Sequence, residues 1–399
     1  MTDTGSTILI RVFGPDGPGL TAGLMDVLSA GNCELYDVEQ VVVRDRLSLN
    51  VLVSVSNDET LDEVLSYAKE RGLTADFEPL TEIASPARGR FAVSVIGARV
   101  DPQTFGAVSR AIANAGGNID SIERLSRYPV VSYELAVSGG DQAAMRTALL
   151  ETSAMYGVDL AVQAEGIARR SKRLVVMDVD STLIQDEVIE LLAAAAGKQK
   201  EIGAATALAM EGEVDFAESL TDRVRLLQGV HVAVLDEVAA AIRLTPGART
   251  FIRTLKRMGM RIGLLSGGFT WFTDRLAAEL ELDHSYANEL EIEDGHLTGR
   301  LLGPIVDRAR KAEILREIAR AEGIALDQVV AIGDGANDLD MLAAAGLGIG
   351  FNPKPIVRGA ADSSVSVPYL DAILFVLGIR RDEVESDGDA PEVGGLPPL

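Results

Sequence analysis

The sequence Arg173-Leu-Val-Val-Met-Asp178-Val-Asp180-Ser-Thr182 joins a short apolar run to two acidic residues. Leu174 to Met177 is a continuous apolar run of the kind found in strands that are buried on both faces. Asp178 and Asp180 follow at its end, one residue apart. Burying a carboxylate without a partner is costly, so two of them at the end of a core strand require a cation, a proton or a reaction.

Two later stretches repeat this arrangement of an apolar run with a polar end. Arg261-Ile-Gly-Leu-Leu265 leads into Ser266-Gly267-Gly268, and Val329-Val-Ala-Ile332 leads into Gly333-Asp334-Gly-Ala-Asn337-Asp338. In an open parallel sheet, ligands bind beyond the carboxyl ends of the strands. We therefore predict an α/β domain with a parallel sheet, and we expect its three strand ends to form one active site.

The composition is that of a folded protein with more than one domain. The chain has 399 residues, of which 47% are hydrophobic and 24% are charged, and this length favours two or three domains. The formal net charge of −23 argues against a nucleic-acid-binding surface. No apolar run has the length of a membrane span, the first residues lack the pattern of a signal peptide, and Cys33 is the only cysteine. These features predict no membrane segment, no internal disulfide and a cytoplasmic location.

The end of the chain is acidic. Residues 382–392 combine six acidic residues with Gly and Pro, and more Gly and Pro follow. Such a composition cannot bury enough apolar surface to offset the entropy of ordering. We predict that residues 381–399 form a disordered tail.

The first 85 residues predict a β-α-β-β-α-β unit. Apolar and β-branched runs indicate the strands, and apolar residues at helical spacing, such as Leu20, Leu24 and Leu28, indicate the helices. The predicted strands are 7–13, 35–44, 47–55 and 75–77, and the predicted helices are 20–30 and 61–71. This order is that of the ferredoxin-like split unit.

A second copy of this unit covers residues 90–167. Phe91 to Ile96 matches the first strand, Phe105 to Ala115 matches the first helix, and Gly117-Asn118 stands where Gly31-Asn32 stood. Further elements are predicted as a strand at 133–137, a helix at 142–156 and a strand at 159–163. Residues 85–89 link the two copies, and residues 168–172 link the second copy to the domain that follows.

The doubled unit resembles tandem ACT domains, which are regulatory modules that bind amino acids. Its most specific feature is Asp16-Gly17-Pro-Gly19-Leu20, because ACT ligand loops commonly place a Gly-rich turn before the first helix. The resemblance implies that these residues bind an amino-acid effector such as serine, whose carboxylate would meet backbone N–H groups at the positive helix end. The alternative is a tight β-α turn without a ligand. The second copy has Gly97-Ala-Arg-Val-Asp101-Pro102 at this place and lacks the Pro-Gly pair.

The block from about 187 to 244 interrupts the third domain, which we place at 172–380. Its pattern is helical, with runs at 188–196, 201–210 and 216–227. An insertion after the first strand would lie above the strand ends, where a lid belongs. Farther along, Asn288 to Arg300 predicts a hairpin whose two-residue turn is Asp294-Gly295.

Four motifs in this third domain resemble those of the haloacid dehalogenase superfamily of aspartate-dependent phosphotransferases. They are Asp178-x-Asp180-Ser-Thr182, Ser266-Gly-Gly, a separate Lys311, and Gly333-Asp334-Gly-x-Asn337-Asp338. The resemblance covers about 172–378, and within the superfamily it is most similar to the phosphatases that act on phosphoserine. It implies a Rossmann-like parallel-sheet core with an inserted helical cap, and Mg²⁺ as the cofactor.

The resemblance also implies a role for each motif residue. Asp178 would be the nucleophile that forms an aspartyl-phosphate, and Asp180 would be the general acid and base. Asp178 and Asp334 would bind Mg²⁺ directly, Asp180 through its backbone carbonyl, and Asp338 through a water. The phosphate would be contacted by Ser266, Gly267, Lys311 and Asn337.

Substrate choice is expected from the cap. A small phosphomonoester with an ammonium and a carboxylate would suit one acidic residue and one arginine, and Glu187 and Arg223 match positions that bind these groups in the related phosphatases. Met210 and Phe216 match apolar residues that pack over the substrate. The alternative for Arg223 is a surface ion pair with Glu218 or Asp222.

Three functions follow from these features. The first is a Mg²⁺-dependent phosphatase for phosphoserine, the last step of serine synthesis, with an amino acid sensed by the ACT-like domains. The second is a related phosphatase or phosphotransferase for another small phosphomonoester, such as phosphothreonine or phosphohomoserine. The third is an amino-acid sensor with a degenerate core, which the intact motifs disfavour. Because a four-stranded sheet leaves open edges, we also expect a homodimer.

Overall fold

The computed structural model describes residues 6–80, 89–200 and 216–385. The chain divides into two compact units, Met1–Pro86 and Ala87–Leu399. The first unit holds one small domain, and the second holds another small domain and the large α/β domain.

The first domain is a four-stranded antiparallel sheet with strand order β2-β3-β1-β4 and two helices. Every second residue of Leu47 to Val55 is buried, as the alternation of a half-buried strand requires. Asn57 caps the second helix by accepting a hydrogen bond from the backbone N–H of Thr60 at 3.0 Å. The elements are β1 (Ser6–Pro15), α1 (Leu20–Ala30), β2 (Glu34–Val43), β3 (Arg46–Val55), α2 (Asp58–Glu70) and β4 (Thr74–Pro79).

The second domain repeats this topology with strand order β6-β7-β5-β8. Its elements are β5 (Arg90–Gly97), α3 (Pro102–Asn114), β6 (Gly117–Ser126), β7 (Val131–Gly139), α4 (Gln142–Tyr156) and β8 (Asp159–Ala164). The sequence did not reveal β6. It is an edge strand with mostly exposed side chains, and its polar residues, such as Asp120 and Glu123, hide the alternation that marks a half-buried strand.

The large domain is built on a seven-stranded sheet with order β12-β11-β10-β9-β13-β14-β15. Every strand pair is parallel except β11 with β12. The central β9 pairs with β10 on one side and β13 on the other, and Met177 lies opposite both Leu264 and Ile332. The predicted convergence of three strand ends on one edge of the sheet is therefore confirmed. The strands are β9 (Leu174–Met177), β10 (Arg261–Phe269), β11 (His284–Glu293), β12 (His296–Leu302), β13 (Val329–Gly333), β14 (Leu347–Phe351) and β15 (Ser363–Val365).

Helices pack on both faces of this sheet. The described helices that follow β8 in the chain are α5 (Ile167–Arg170), α6 (Val188–Ala195), α7 (Phe216–Arg225), α8 (Ala233–Ala241), α9 (Ala248–Arg257), α10 (Thr270–Glu279), α11 (Arg308–Ala321), α12 (Leu339–Ala344), α13 (Pro355–Ala360), α14 (Ile373–Val376) and α15 (Arg381–Glu385). The predicted helical insertion after β9 corresponds to α6, α7 and α8, and its residues 201–215 lie outside the described part. The predicted hairpin is β11 and β12, where Asp294 and Gly295 have φ angles of 49° and 74°.

The second domain packs against the large domain through one face of its sheet. Ile96, Leu125 and Ala161 belong to the same buried cluster as Val175 and Met177 of β9. The other face of the sheet packs against α3 and α4 in a separate core. The sheet of the second domain is thus shared between two hydrophobic cores.

The predicted disordered tail is wrong at its beginning. Residues 381–385 form α15, in which Val384 is buried and Arg381 pairs with Asp371 at 2.7 Å. These contacts offset the entropy of ordering, which the acidic composition alone did not reveal. Residues 386–399 lie outside the described part, and the other predicted domain limits stay predictions. No helix among the described residues is long and apolar enough to cross a membrane.

Candidate active site

Three buried carboxylates meet at the carboxyl edge of the large sheet. Asp178 follows β9, and Asp334 and Asp338 follow β13. One oxygen atom from each of them lies within 4.8 Å of the others. Mutual repulsion opposes such an arrangement, so it requires positive charge.

Lys311 supplies part of this charge. It lies in the first turn of α11, which Asp307 caps, and its side chain is completely buried. Its Nζ lies 2.9 Å from Asp178 Oδ1 and 2.7 Å from Asp338 Oδ1. Burial lowers the pKa of this ammonium, but its two carboxylate partners outweigh that effect and the pKa is raised overall.

Lys311 alone does not neutralise the three carboxylates, so the cluster can also bind a cation. Burial, followed by repulsion from Asp178, raises the pKa of Asp334 to about 6, and the same two causes raise the pKa of Asp338. Buried carboxylate oxygens within reach of one another are the hard donors that Mg²⁺ prefers. The three residues therefore fit a divalent cation by charge, donor type and spacing.

Asp180 lies beside this cluster in a tight turn. Ser181 adopts a left-handed conformation with a φ of 55°, and Asp180 Oδ1 accepts a hydrogen bond from the backbone N–H of Val188 at 3.0 Å. Burial, followed by repulsion from Glu187 and Asp178, raises the pKa of Asp180 to about 8. The environment thus favours a protonated acid near neutral pH.

The end of β10 brings Ser266 to the same place. The Oγ of Ser266 accepts a hydrogen bond from the backbone N–H of Gly268 at 2.8 Å. A Cβ atom at Gly268 would lie only 3.1 Å from Asp180 Oδ2, so the loop passes directly beside this acid. Asn288 holds the loop, because its Nδ2 donates to the carbonyl of Gly267 at 2.8 Å.

Two further residues of this region, Asn288 and Lys354, were not predicted from the sequence. Asn288 is buried at the beginning of the predicted hairpin and binds the Gly267 loop, and the mixed polar stretch around it carries no local signal for this role. Lys354 lies beyond the end of β14, and its Nζ is 3.3 Å from Asp334 Oδ2. No local signal in the sequence marks Lys354, because its place beside Asp334 depends on how β14 pairs with β15.

Asn337 lies on the other side of Asp178. Its Nδ2 is 3.5 Å from Asp178 Oδ2, a long distance for a hydrogen bond. The neighbouring Asp338 accepts a hydrogen bond from the backbone N–H of Gly335 at 3.1 Å. The loop after β13 thus holds one side chain near the predicted nucleophile.

The cap places two predicted residues near the cluster. Glu187 Oε1 accepts a hydrogen bond from Ser181 Oγ at 2.8 Å. Arg223 on α7 is half-buried, and burial lowers the pKa of its guanidinium. The negative charges of Glu187 and Asp180 act in the opposite direction and raise this pKa, but burial is the larger effect. Asp222, the alternative partner for Arg223, instead pairs with Arg225 at 2.7 Å. Phe216 begins α7, but its side chain and the whole of Met210 lie outside the described part.

Comparisons with known proteins agree with this geometry. The family model of haloacid dehalogenase-like hydrolases matches residues 175–343, and models of ACT domains match residues 6–78 and 90–163. A phosphoserine phosphatase of Streptomyces coelicolor is 51% identical to the chain, over 98% of this chain and 97% of its own length. The chain belongs to the phosphoserine phosphatase family. The predicted family, fold class and hydrolase identity are therefore confirmed.

Two further members of this family are also similar. The phosphoserine phosphatase of Mycobacterium tuberculosis is 49% identical, over 97% of each chain. A crystallised phospho-aspartyl intermediate analogue of phosphoserine phosphatase is 39% identical with a TM-score of 0.50, and the match covers 52% of this chain and 99% of that one. The first relative is similar along all three domains, whereas the second covers about half of the chain.

The two ACT domains differ at the beginning of their first helix. In the first domain, Asp16, Gly17, Gly19 and Leu20 line a groove of about 420 Å³, and Gly19 precedes α1 with a φ of 83° and no side-chain cap. In the second domain, the Asp101 side chain caps α3 by accepting a hydrogen bond from the Thr104 N–H at 2.8 Å. The helix end is thus open to an external acceptor in the first domain and is capped by its own chain in the second.

Proposed function

We propose that the chain is a Mg²⁺-dependent phosphatase that hydrolyses O-phospho-L-serine to L-serine and phosphate through an aspartyl-phosphate. This reaction is the last step of serine biosynthesis. The observation that carries the proposal is the meeting of Asp178, Asp334 and Asp338 at one edge of the sheet, with oxygen atoms within 4.8 Å. The names of relatives that are similar over nearly the whole chain support the substrate.

The carboxylate cluster would hold Mg²⁺. Asp178 and Asp334 would ligate it through side-chain oxygens, Asp180 through its backbone carbonyl, and Asp338 through a water. When bound, the ion would shield the negative charge of the phosphoryl group from that of the nucleophile.

Each remaining side chain then has a chemical task. Asp178 attacks phosphorus, while Asp180 gives its proton to the departing serine oxygen and later takes one from the hydrolytic water. Lys311 lies 2.9 Å from Asp178 and stabilises negative charge on it and on the phosphoryl group. Ser266, the backbone N–H of Gly267, and Asn337 donate hydrogen bonds to phosphate oxygens.

The cap residues would recognise the serine part of the substrate. Glu187 binds its ammonium, and Arg223 binds its carboxylate with two parallel hydrogen bonds. Met210 and Phe216 would cover the substrate and exclude water. Rates for phosphoserine, phosphothreonine and phosphohomoserine, with and without Mg²⁺, test the proposal. Equal rates on all three, or rates that survive metal removal, would contradict it.

Arg223→Ala tests substrate recognition. We expect KM for phosphoserine to rise about 10- to 100-fold, because hydrogen bonds to charged groups contribute about 1.5–3 kcal/mol. The KM for p-nitrophenyl phosphate, which has no carboxylate on its leaving group, should change much less. Arg225→Ala on the same helix is the matched control, since Arg225 is exposed and pairs with Asp222. An equal loss on both substrates would exclude the carboxylate role.

The first ACT domain would bind serine as an effector. Its carboxylate would accept hydrogen bonds from backbone N–H groups at the start of α1, beside Asp16, Gly17, Gly19 and Leu20. The capped helix of the second domain favours one site per chain.

Gly17→Leu tests this effector site. A Cβ atom at Gly17 contacts nothing within 4 Å, so a leucine there fills the groove without disturbing the packing. We expect calorimetry on the full chain to detect serine binding that Gly17→Leu abolishes. Ala98→Leu, in the corresponding exposed loop of the second domain, is the control and should leave binding unchanged. Absence of serine binding to the unaltered chain would refute the site.

We further propose a homodimer. The edge strand β2 is exposed along its whole length and carries large apolar side chains, among them Leu35, Tyr36 and Val43. An open apolar edge of this kind is a ready surface for another strand. Sedimentation equilibrium that detects only monomers would contradict this. No nucleic-acid or membrane partner is proposed, and the cytoplasmic location stays a prediction.

A further inference from the structure

The second ACT domain holds the edge strand β15 of the phosphatase sheet at both ends. Before β15, the Arg146 guanidinium of α4 donates to the carbonyl of Ala361 and lies 3.1 Å from Asp362 Oδ1. After β15, Asp159 of β8 accepts a hydrogen bond from the backbone N–H of Ser366 at 2.6 Å. Both contacts join the ACT domain to residues that directly flank the three-residue strand.

The two contacts differ in burial, since the Arg146–Asp362 pair is partly exposed and the Asp159 contact is buried. Asp159 is only 5% exposed, so its carboxylate depends on the Ser366 N–H in place of water. Asp362 is bound on both sides, because its Oδ2 also accepts a hydrogen bond from the backbone N–H of Gly348 in β14 at 2.9 Å. Arg146 therefore reaches the second-last strand of the sheet through a single carboxylate.

Strand β15 in turn fixes the turn that follows β14. It pairs with β14 in parallel, and the backbone N–H of Asn352 donates to the carbonyl of Val365 at 2.8 Å. Asn352 has a φ of 42°, a left-handed conformation that asparagine tolerates better than most residues. Lys354 lies two residues farther on, so its place depends on where β15 holds this turn.

Lys354 contacts the metal-site residue Asp334 in two ways. Its backbone N–H donates to the Asp334 carbonyl at 3.0 Å, and its Nζ lies 3.3 Å from Asp334 Oδ2. The backbone hydrogen bond holds the main chain of Asp334, and the half-exposed Lys354 ammonium pairs with its buried carboxylate. The other two carboxylates of the cluster, Asp178 and Asp338, are held by Lys311.

We propose that the second ACT domain is a positioning element for the metal site, and that Arg146 and Asp159 act through β15 and Lys354 on the carboxylate of Asp334. The inference rests on the proposed Mg²⁺-dependent function. The capped helix α3 makes the second ACT domain poorly suited to bind a ligand. The proposal gives this domain a structural role instead. Since the substrate-binding cap is not part of this route, the effect should fall on metal binding and kcat rather than on the KM for phosphoserine.

Arg146→Met is the test. We expect Mg²⁺ affinity, measured by calorimetry on the full chain, to fall about 3- to 10-fold, the range in which residues between coupled sites commonly act. The kcat at limiting Mg²⁺ should fall with it, and KM for phosphoserine should stay unchanged. The same change in a Lys354→Met background should have little further effect on Mg²⁺ affinity, because the route is already broken. Asp159→Ala should behave like Arg146→Met.

Two matched controls separate positioning from general damage. Arg110→Met and Glu151→Ala alter exposed residues of the same domain and should leave Mg²⁺ affinity unchanged. If Arg146→Met does not fold, Arg146→Lys replaces it, because lysine keeps the charge but loses the second contact. Unchanged Mg²⁺ affinity in the folded variant, or the same loss with and without Lys354, overturns the proposal. Absence of Mg²⁺ binding to the unaltered chain would instead overturn the proposed function.

Discussion

Replacing Asp178 with asparagine should lower kcat for phosphoserine by about 10⁴-fold or more, because a missing nucleophile removes the covalent route altogether. The amide has almost the same shape as the carboxylate, but its oxygen is too weak a nucleophile to form the acyl phosphate. Its oxygen can still accept a hydrogen bond from Lys311, which now lies 2.9 Å from Asp178 Oδ1. The fold should therefore survive while turnover stops.

Steady-state assays with phosphoserine measure the loss of kcat, and thermal unfolding of the same variant checks that the fold is preserved. Asp340→Asn is the matched control, since Asp340 lies two residues after Asp338 but is an exposed partner of Arg308. It should keep the activity of the unaltered chain. Substantial activity in folded Asp178→Asn would remove Asp178 as the nucleophile.

Replacing Asp180 with asparagine should give a loss that depends on the leaving group. We expect kcat for phosphoserine to fall about 10²- to 10⁴-fold, as is typical when a general acid is removed. The alkoxide of serine needs a proton, whereas p-nitrophenolate leaves well without one. Asparagine can still accept the hydrogen bond that the Val188 N–H makes with Asp180 Oδ1, so the turn should be preserved.

The two substrates separate the two roles of Asp180. With p-nitrophenyl phosphate, the first step should remain fast, and the second should be slow because no base activates the water. Rapid-mixing experiments should then detect a burst of p-nitrophenolate equal to the enzyme concentration. Equal losses on both substrates without a burst would contradict the assignment of Asp180 as acid and base.

Much of the fold and of the site could be predicted because the information is local in the sequence. A buried strand that ends in Asp178 and Asp180 is visible as an apolar run with two acids. The parallel-sheet rule then brings Ser266 and Asp334 to the same edge, as the register of β9 with β10 and β13 confirms. The Asp294-Gly295 turn was predictable for the same reason, since its positive φ angles suit these residues.

Features that depend on tertiary contacts were not predictable in this way. Lys354 is an unremarkable lysine in a turn, and its place beside Asp334 depends on β14 and β15. Strand β6 carries too many polar side chains to be recognised without its partner β7. Val384 looked like part of an acidic tail because the sequence does not reveal the core that it packs into. In each case a distant partner, rather than local propensity, decides the outcome.

In the proposed mechanism, Asp178 accepts the phosphoryl group at a cation-binding edge of the sheet. The most direct measurement is to quench turnover of ³²P-labelled phosphoserine with acid, reduce the trapped acyl phosphate with borohydride, and map the modified residue by mass spectrometry. We expect Mg²⁺-dependent labelling, with conversion of Asp178 to homoserine. Modification at another residue, or turnover without any trapped phosphoenzyme, would contradict it.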